Sequence, residues 1–419
     1  MYRLSYTNPH LNSIEIDLPT SKSISNRALI LNALLKNKIK LFELSSADDT
    51  QIMITALTLT NNEIYLKNAG TCMRFLTAYF SILPQINVIL NCDERMKERP
   101  IKELVEALNN LGADIKYLEN ENYPPLAISG KKIIGNTVHL NASKSSQFVS
   151  ALMLIAPFIK NGLTIHLAES IASYDYIKIT SLLMNEFGFR CKLVNNKIEI
   201  EEYVNTPILH EYTIEKDWSA AAFWYLTTCI NPNMNIYLNS LDLNSIQGDK
   251  ITAAYFQKLG ITTIQTESGI EIKNSLKCIN NLSFNLENCI DLAPALSVGC
   301  AVLNLNVSLY GLNNLKIKES NRLIAIVNEL LKFGFNVENT NDSINIKSIE
   351  TNIDYNKQVL IKTYNDHRIA MAFAPLAVLF SNLVIEEIES VGKSYPNFFN
   401  DLNKIGIDIK PILLNTEMK

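Results

Sequence analysis

Residues 251–273 read ITAAYFQKLGITTIQTESGIEIK, and this stretch contains the pattern on which the fold depends. Its first part places apolar side chains at helical spacing, and the run stops at Gly260. Glycine readily adopts the left-handed conformation that ends many helices. Isoleucines then alternate with other side chains on either side of Glu267-Ser268-Gly269, which is typical of a β-hairpin. The stretch therefore predicts a helix, a glycine stop and two antiparallel strands.

The same pattern occurs around five glycines along the chain. They are Gly112, Gly188, Gly260, Gly334 and Gly406, at intervals of 76, 72, 74 and 72 residues. A nearly constant interval indicates that one supersecondary unit has been used repeatedly, with a hairpin expected after each glycine. A structural solenoid is the alternative, but solenoid repeats usually span about 20 to 50 residues. The longer interval favours a small α/β unit in which two helices pack against a sheet.

Between the glycines lies a second series of helix starts, each with hydroxyl, acidic or basic side chains. Free N–H groups at a helix N-terminus attract anions, so such starts can bind anionic ligands. If the repeats close around an axis, the six N-termini can face one place, which would be the active site. The six starts are Ser21-Lys22-Ser23-Ile24-Ser25-Asn26-Arg27, Thr71-Cys72-Met73-Arg74, Ser145-Ser146-Gln147, Asp217-Trp218-Ser219, Asp291-Leu292-Ala293 and Asp366-His367-Arg368.

These helix starts also have a purely structural interpretation. Thr71, Asp217 and Asp366 are residue types that cap helices. Thr71 can do so or can belong to an ordinary turn, and we expect Asp217 and Asp366 to be caps. The sequence leaves two roles open for Asp291, which could be an N-cap or an acid–base group. The helices that follow, such as residues 370–380, are apolar on most faces. Such helices are expected to be buried.

Six copies of the unit, the first one shortened, divide into two lobes of three units each. The natural break lies near Glu215-Lys216-Asp217, midway between the third and fourth units. The strand pattern at residues 13–18 is an extra element that could pass from one lobe to the other. We therefore predict an N-terminal lobe of residues 20–215 and a C-terminal lobe of residues 1–19 plus 216–419.

Composition excludes several classes of protein. The 419 residues carry a net charge of −4 and no basic tail, which argues against a nucleic-acid-binding protein. The longest apolar stretch, residues 369–380, is too short to span a bilayer. The N-terminus lacks the apolar segment of a secretory signal, and the seven cysteines are scattered. Reduced thiols in a cytoplasmic enzyme without a zinc site fit this pattern best.

Cations are concentrated where an anion could be held. Lys22 and Arg27 flank hydroxyl side chains at a helix start, and Gly70 would let a ligand approach the backbone. Arg99 ends a basic loop that also contains Arg95 and Lys97. Arginine suits planar recognition of carboxylate or phosphate. Taken alone, the helix start with Lys22 and Arg27 could also be a solvated helix end, and the stretch around Gly70 an ordinary turn before a helix.

The acidic candidates are Asp291 and Glu319. Glu319 follows Lys318 and precedes Arg322 by three residues. An acid among cations can be merely charge-balanced, or it can hold a proton for transfer. Arg368 and Lys393 supply further cations beside a helix start or loop.

Together these motifs resemble the 5-enolpyruvylshikimate-3-phosphate synthases, members of the enolpyruvyl transferase family. The motifs appear in the family's order and span nearly the whole chain. They are Lys22-Ser23-Ile24-Ser25-Asn26-Arg27-Ala28, Asn68-Ala69-Gly70-Thr71, Met96-Lys97-Glu98-Arg99-Pro100, Ser145-Ser146-Gln147, Lys318-Glu319-Ser320-Asn321-Arg322 and Asn365-Asp366-His367-Arg368. The sequence departs from the usual pattern at Phe75, Tyr174-Asp175, Lys316 and Asn321.

The resemblance implies an α/β fold of two lobes, each made of three βαβαββ units around a pseudo-threefold axis, with the active site in the cleft between the lobes. It implies transfer of the enolpyruvyl group of phosphoenolpyruvate to the 5-hydroxyl of shikimate 3-phosphate, with release of phosphate. This reaction is a step toward chorismate and the aromatic amino acids. It needs no metal or cofactor, and a cytoplasmic monomer without nucleic-acid or membrane partners is expected.

The resemblance also implies site residues. Asp291 would be the base toward the 5-hydroxyl, Glu319 the acid for the methylene carbon, and Lys22 a third catalytic group. The implied phosphoenolpyruvate contacts are Lys22, Gly70, Arg99, Gln147, Arg322, Arg368 and Lys393. The implied shikimate 3-phosphate contacts are Lys22, Ser23, Arg27, Ser145, Ser146, Gln147, Ser173, Tyr176, Asp291, Asn314 and Lys318.

Two other functions stay open. The sister enolpyruvyl transferase that acts on UDP-N-acetylglucosamine typically carries Lys-Asn at the first helix and a reactive cysteine in the loop before Arg-Pro. Here the first pair is Lys22-Ser23, and Cys92 lies two residues away from the position of that cysteine. We therefore interpret Cys92 as structural. The second alternative is a repeat-built scaffold that binds phosphorylated ligands without turnover.

Overall fold

A computed structural model of the chain describes residues 1–8, 12–58, 61–141, 143, 145–168, 173–204, 209–275, 277–350 and 352–412. The chain divides into two compact units. The N-terminal unit contains Thr20–Glu215 and Ile246–Gly248. The C-terminal unit contains Met1–Pro19, Lys216–Ser245 and Asp249–Lys419.

The strands are short and occur throughout the described chain. In chain order they are β1 (Tyr2–Tyr6), β2 (Ser13–Ile16), β3 (Lys40–Phe42), β4 (Glu63–Tyr65), β5 (Asn87–Asn91), β6 (Asp114–Tyr117), β7 (Leu126–Ser129), β8 (Thr137–Leu140), β9 (Leu163–Leu167), β10 (Cys191–Val194), β11 (Lys197–Ile200), β12 (Glu211–Thr213), β13 (Asn235–Asn239), β14 (Ile261–Gln265), β15 (Gly269–Asn274), β16 (Leu282–Asn285), β17 (Val307–Tyr310), β18 (Asn336–Asn339), β19 (Ser343–Lys347), β20 (Val359–Ile361), β21 (Leu383–Ile385) and β22 (Ile407–Pro411).

The α-helices lie between these strands. They are α1 (Lys22–Leu34), α2 (Asp48–Thr58), α3 (Gly70–Ser81), α4 (Glu94–Lys97), α5 (Lys102–Asn110), α6 (Ser146–Ile155), α7 (Tyr174–Glu186), α8 (Trp218–Ile230), α9 (Ile251–Lys258), α10 (Ala293–Val302), α11 (Arg322–Lys332), α12 (His367–Phe373) and α13 (Phe398–Lys404). Short 3-10 helices include Ile290–Leu292, Asn313–Ile317 and Ile388–Lys393.

The four-stranded sheets share one design. Each begins with a parallel pair at one edge, followed by two antiparallel strands. The N-terminal unit contains the sheets β4-β5-β7-β6 and β8-β9-β11-β10, and the C-terminal unit contains β2-β13-β15-β14, β16-β17-β19-β18 and β20-β21-β1-β22. The predicted α/β fold of repeated βαβαββ units is confirmed.

The stretch at residues 251–273 folds as its pattern indicates. Helix α9 ends at Lys258, and Gly260 has a φ of 92°, in the region that favours glycine. Strands β14 and β15 then pair antiparallel, with Ile261 opposite Asn274. The inward-facing isoleucines of this hairpin are fully buried. Local backbone preference and the alternation of side chains therefore agree with the structure that this half of the repeat adopts.

The prediction of a hairpin after Gly406 is wrong about the second strand. Strand β22 follows this glycine, but its antiparallel partner is β1 from the other end of the chain. Tyr2 lies opposite Pro411, and Tyr6 lies opposite Ile407. The chain start thus completes the last sheet, in the place that the second hairpin strand has in the other units.

The N-terminal segment also starts another unit. Strand β2 pairs in parallel with β13, and both belong to the C-terminal unit. In the N-terminal unit, the short strands β3 and β12 form a parallel pair by themselves. Among the described residues this two-stranded sheet has no antiparallel hairpin attached, which matches a shortened first repeat.

The first helix of each βαβαββ unit lies at the centre of the core. Every residue of α8 is buried, as are most residues of α6, α10 and α12. Helices α6 and α12 each change to a 3-10 turn at a proline, Pro157 and Pro375, because proline cannot donate the next helical hydrogen bond. None of the helices in the described ranges is long and apolar enough to cross a membrane.

Residues 246–248 group with the N-terminal unit, although the predicted boundary assigned them to the other lobe. The Gln247 amide and the Ile246 N–H both donate to the Glu215 carboxylate, at 3.0 and 3.3 Å. Gly248 packs so closely on Asp175 that a Cβ would lie 2.4 Å from the Asp175 Cβ. The chain re-enters the C-terminal unit at Asp249.

Candidate active site

In the N-terminal unit, Lys22 is the first residue of α1. The Ser21 hydroxyl accepts from the Ile24 N–H and caps the helix. The Lys22 ammonium lies 3.1 Å from the Asp49 carboxylate of α2. Its charge thus adds to the positive end of the helix dipole, and one acid orients it.

Arg27 lies one turn further along α1 and is buried. Its guanidinium donates to the Thr180 hydroxyl at 2.8 Å, to the Ser150 hydroxyl at 3.2 Å, and to the carbonyls of Ser23 and Tyr176. These acceptors are neutral oxygens, and burial lowers the pKa of Arg27 to about 10. Arg27 therefore connects α1 to α6 and α7 and leaves a positive charge that these neighbours do not neutralise.

Gly70 and Arg99 lie against each other at the start of α3. A Cβ on Gly70 would be 2.7 Å from both terminal nitrogens of Arg99. Arg99 donates weakly to the side-chain and backbone oxygens of Asn68, at 3.3 and 3.4 Å. Its buried Nε has no hydrogen-bond partner among the described residues. This guanidinium therefore keeps donor capacity for a ligand.

Of the roles left open for Thr71, the N-cap role is wrong. Helix α3 begins one residue earlier, at Gly70, and Ala69 stands at the cap position without a side-chain hydrogen bond. The Thr71 hydroxyl instead accepts from the Gln147 amide at 3.1 Å. This bond fixes Gln147 of α6 beside the start of α3.

The remaining predicted residues of the N-terminal unit sit at two helix starts. Ser145 caps α6 by accepting from the Gln147 N–H, and Ser146 is buried in the first turn. Ser173 precedes α7 with a φ of 54°, and its carbonyl accepts from the Tyr176 N–H at 3.1 Å. Because Arg27 contacts both helices, it holds these two starts near the start of α1.

The basic loop does not act as one group. Lys97 pairs with Glu94 and Glu119, and Arg95 pairs with Glu98. These contacts lie at the surface of the unit. Only Arg99 of the three basic side chains is buried, so only Arg99 joins the site.

In the C-terminal unit, Arg322 is the centre of a buried charge cluster. Its side chain is 1% exposed, and each of its nitrogens contacts a different carboxylate. The two bonds to Asp291 and Asp366 are both 2.8 Å long, and the third goes to Glu319. Burial alone would lower the pKa of Arg322, but these three carboxylates raise it well above its usual value.

Asp291 is not an N-cap. It lies within the 3-10 helix Ile290–Leu292, ahead of α10. Its carboxylate lies 2.8 Å from Arg322, 3.1 Å from Arg368 and 3.8 Å from Lys318. Burial would raise the pKa of Asp291, but the three positive charges outweigh burial and hold it well below its usual range.

Glu319 is shared between two cations. Its carboxylate contacts Arg322 and lies 3.4 Å from the Lys393 ammonium. Lys393 ends the 3-10 helix Ile388–Lys393. Asn314 is half-buried in the 3-10 helix Asn313–Ile317, which immediately precedes Lys318.

The predicted caps Asp217 and Asp366 are confirmed. They accept from the N–H groups of Ser219 and Arg368, at 2.8 and 3.0 Å. Asp366 does more than cap, since its other oxygen accepts from Arg322 and from the Ser320 hydroxyl at 2.9 Å. No local pattern in the sequence could show this second role, because Arg322 is 44 residues away along the chain.

Asp249 was not predicted as a site residue, and Ser219 was named only as part of a helix start, without a role of its own. The Ser219 hydroxyl donates to Asp249 at 2.5 Å and accepts from Arg368 at 3.1 Å. In the part of the chain that the structure describes, no three His, Cys, Asp or Glu side chains are arranged to hold a metal ion. The groups that lie between the carboxylates of this cluster are the cationic side chains of Lys318, Arg322, Arg368 and Lys393. Cationic groups are those that bind an anionic ligand.

A search of solved structures finds proteins of the same fold. The EPSP synthase from Acinetobacter baumannii matches with a TM-score of 0.77 and 21% sequence identity, covering 98% of this chain and all of that one. At this identity the similarity establishes the fold alone. The fold, with charged side chains at its helix starts, is that of the enolpyruvyl transferases.

Sequence comparison identifies the family. A sequence model of EPSP synthase (3-phosphoshikimate 1-carboxyvinyltransferase) matches residues 57–402. The 3-phosphoshikimate 1-carboxyvinyltransferase of Bacteroides fragilis (strain YCH46) is 44% identical over 94% of this chain and 96% of its own. That of Haemophilus influenzae (strain ATCC 51907 / DSM 11121 / KW20 / Rd) is 34% identical over 93% and 96%. The chain belongs to the EPSP synthase family.

Proposed function

We propose that this chain transfers the carboxyvinyl group of phosphoenolpyruvate to the 5-hydroxyl of shikimate 3-phosphate. A proton adds to the methylene carbon, and the hydroxyl oxygen bonds to C2. Loss of a proton from the new methyl group and loss of phosphate from C2 then restore the double bond. The products are 5-enolpyruvylshikimate 3-phosphate and phosphate.

The catalytic roles of Asp291 and Glu319 are inferred from their shared contact with one arginine. A single buried guanidinium, Arg322, holds Asp291 and Glu319 on two of its nitrogens. The reaction needs one group that takes a proton from a hydroxyl and another that gives a proton to carbon. Two carboxylates fixed on one planar fork can supply both functions without moving relative to each other.

The charge balance of the cluster suggests how the base is activated. In this structure Arg322, Arg368 and Lys318 hold the pKa of Asp291 low, so it is a weak base. Phosphoenolpyruvate brings a carboxylate and a phosphate that compete for the same cations. Partial loss of these ion pairs would raise the pKa of Asp291 and let it accept the hydroxyl proton.

Glu319 would respond in the same way. Its carboxylate is held by Arg322 and Lys393, and substrate anions would draw both cations away from it. A carboxyl group left with fewer cations in a buried site binds a proton more readily. Glu319 would then donate that proton to the methylene carbon.

The N-terminal unit contributes further anion contacts. We propose that Lys22, Arg99, Gly70 and Gln147 bind phosphoenolpyruvate, and that both clusters act on the same pair of substrates. The unused donor capacity of Arg99 supports this assignment. The residues proposed for shikimate 3-phosphate in this unit are Lys22, Ser23, Arg27, Ser145, Ser146, Gln147, Ser173 and Tyr176, and those in the C-terminal unit are Asp291, Asn314 and Lys318.

The sister transferase is less well supported. Its reactive cysteine would need an accessible thiol of low pKa. Cys92 is 4% exposed, and burial raises its pKa to about 11. The Cys92 thiol therefore lacks the properties of a nucleophile or acid at neutral pH.

Phosphate release from phosphoenolpyruvate tests the proposal. Release should require shikimate 3-phosphate, and Asp291→Asn should lower turnover at least about 100-fold. Asp408→Asn is the matched control, because Asp408 is 42% exposed on β22, where it accepts from the Asn403 amide at 2.7 Å and lies 3.7 Å from the Lys410 ammonium. Release that depends on UDP-N-acetylglucosamine would favour the sister enzyme. No release with either acceptor would favour the binding scaffold.

Two further expectations are proposals of the same kind. The chain should be monomeric, which sedimentation velocity would test directly. A cytoplasmic location is expected from the sequence, and fractionation of cells that produce the protein would check it.

A further inference from the structure

We propose that Asp249 is a positioning residue: acting through Ser219, its carboxylate holds the Arg368 guanidinium in the orientation that receives phosphoenolpyruvate. This inference rests on the proposed function, in which Arg368 binds that substrate. Asp249 itself contacts neither substrate in this assignment.

The hydrogen bonds from Arg368 to Ser219 and from Ser219 to Asp249 fix the orientation of the Ser219 hydroxyl. Arg368 can only donate, and an ionised Asp249 can only accept. The Ser219 hydroxyl lies between them, accepting from Arg368 at 3.1 Å and donating to Asp249 at 2.5 Å. The single hydroxyl proton of Ser219 must therefore point toward Asp249. A neutral, protonated Asp249 has no negative charge and can itself donate to Ser219, so it would no longer fix the direction of the Ser219 hydroxyl proton.

Arg368 needs an anchor other than Asp291. Its guanidinium contacts the Asp291 carboxylate at 3.1 Å and the Asp291 carbonyl at 3.3 Å. In the proposed reaction, however, the Asp291 carboxylate takes up a proton and loses its negative charge. An Arg368 held only by that carboxylate would become loose when the base is protonated. The Ser219–Asp249 pair provides a second anchor that does not take part in proton transfer.

The surroundings of Asp249 fit such a role. The side chain is 7% exposed, at the point where the chain re-enters the C-terminal unit. Titratable groups face it from three directions: Asp291 from the turn before α10, Asp217 from the start of α8, and Arg368 from α12. The neighbouring Lys250 turns away and donates to the Ser245 carbonyl at 2.8 Å.

These surroundings make the charge of Asp249 unfavourable for folding. Burial and the nearby charge of Asp291 together raise the pKa of Asp249 to about 6, because Ser219 and Arg368 offset only part of their effect. Native Asp249 thus binds a proton more tightly than it does in the unfolded chain. Its ionised form costs stability above about pH 6 and costs none at low pH. A charged side chain that lowers the stability of the fold is typical of a position that serves function.

The first test is the KM for phosphoenolpyruvate at pH 8, measured by phosphate release with saturating shikimate 3-phosphate. Asp249→Asn keeps an acceptor oxygen but removes the charge, and Ser219→Ala removes the bridge. Each should raise KM about five- to tenfold with kcat within about threefold of wild type, as expected for loss of one charge-assisted contact. Ser219→Thr retains the hydroxyl and should restore a KM near that of wild type.

The second test is the pH dependence of the ratio of the two KM values, Asp249→Asn over wild type. Both enzymes use the same substrate, so the ionisation of its phosphate, with a pKa near 6, cancels in the ratio. The ratio should be largest at pH 8 and fall toward one below pH 6, as wild-type Asp249 becomes protonated. A ratio independent of pH would overturn the proposal.

Thermal unfolding separates a positioning role from a structural one. Asp249→Asn should unfold at a higher temperature than wild type at pH 8, and the difference should shrink as pH falls below about 6 and disappear only near the unfolded pKa of about 4. The matched control is Asp401→Asn, since Asp401 is also buried and accepts from a hydroxyl, that of Tyr395 at 2.7 Å. The control should leave KM unchanged.

A lower unfolding temperature for Asp249→Asn with unchanged KM would mean that Asp249 only supports the fold. Failure of wild type to release phosphate with shikimate 3-phosphate would sink the proposed function instead. The thermal shift and its pH dependence would still be measurable in that case, so the two failures can be told apart.

Discussion

Replacing Arg322 with methionine would remove the cation that holds three carboxylates in the C-terminal unit. Methionine is uncharged, unbranched and shorter than arginine, so the change removes the guanidinium fork while an apolar side chain still fills part of its volume. Asp366 would keep the Ser320 hydroxyl and the Arg368 N–H. Asp291 and Glu319 would each keep one or two cations, but all three carboxylates would lose their shortest ion pair.

The size of the effect follows from burial. Arg322 is 1% exposed and Asp366 is fully buried. Removing one partner of a buried ion pair typically costs about 3 to 5 kcal/mol, because the other charge stays buried without compensation. For a unit of this size, 1 kcal/mol shifts the unfolding temperature by about 2 to 4 °C. Arg322→Met should therefore lower it by about 6 to 20 °C at pH 8.

The effect should depend on pH with a defined sign. In wild type the pKa of Asp291 is lowered, so its ion pairs contribute stability at all pH values above the unfolded pKa near 4. In the variant, buried carboxylates with fewer partners have raised pKa values and become protonated as pH falls from 8 to 5. Protonation removes the uncompensated charge, so the gap to wild type should narrow at pH 5.

Calorimetry of Arg322→Met at pH 8 and pH 5 would measure both quantities. Arg190→Met is the control, because the ion pair between Arg190 and Glu201 is 3.0 Å long but has side chains 64% and 54% exposed. An exposed pair contributes about 0 to 1 kcal/mol. A loss of stability at Arg322 no larger than at Arg190, or a gap that widens on acidification, would refute the reasoning.

Three further predictions concern the N-terminal unit. Gly70→Ala should raise the KM for phosphoenolpyruvate several-fold, because a Cβ displaces the flexible end of Arg99. The unfolding temperature should change little. An unchanged KM would contradict the proposed role of Arg99. Lys22→Met should lower turnover at least about 100-fold while circular dichroism shows an intact fold; near-normal phosphate release would exclude a catalytic role. The Cys92 thiol is buried and its pKa is raised to about 11. It should therefore react with iodoacetamide far more slowly than the exposed Cys278, as followed by peptide mass spectrometry. Rapid labelling of Cys92 together with loss of activity would contradict its structural role.

Much of the local structure could be predicted from the sequence. The glycine stop at Gly260 and the hairpin that follows are marked by residues close along the chain. The caps Ser145, Asp217 and Asp366 are likewise local, since each accepts from an N–H two residues ahead. Such features follow from backbone preferences and short-range hydrogen bonds, which a linear pattern records.

Other local expectations failed because a distant partner decided them. The Thr71 hydroxyl bonds to Gln147, 76 residues away, and the helix begins one residue before it. The strand after Gly406 pairs with Tyr2–Tyr6 at the chain start. In both cases several partners were chemically suitable, and only the packing of distant elements selected one.

The site shows the same division. The sequence by itself determined which stretches carry the cations and acids, and the family resemblance supplied roles for Asp291 and Glu319. Only the tertiary structure decided that Arg322 pairs with three carboxylates at once and that Asp249 contacts Arg368 through the Ser219 hydroxyl. The reason is physical: a side chain's type is fixed locally, whereas its pKa and its partners depend on charges that folding brings within a few ångströms.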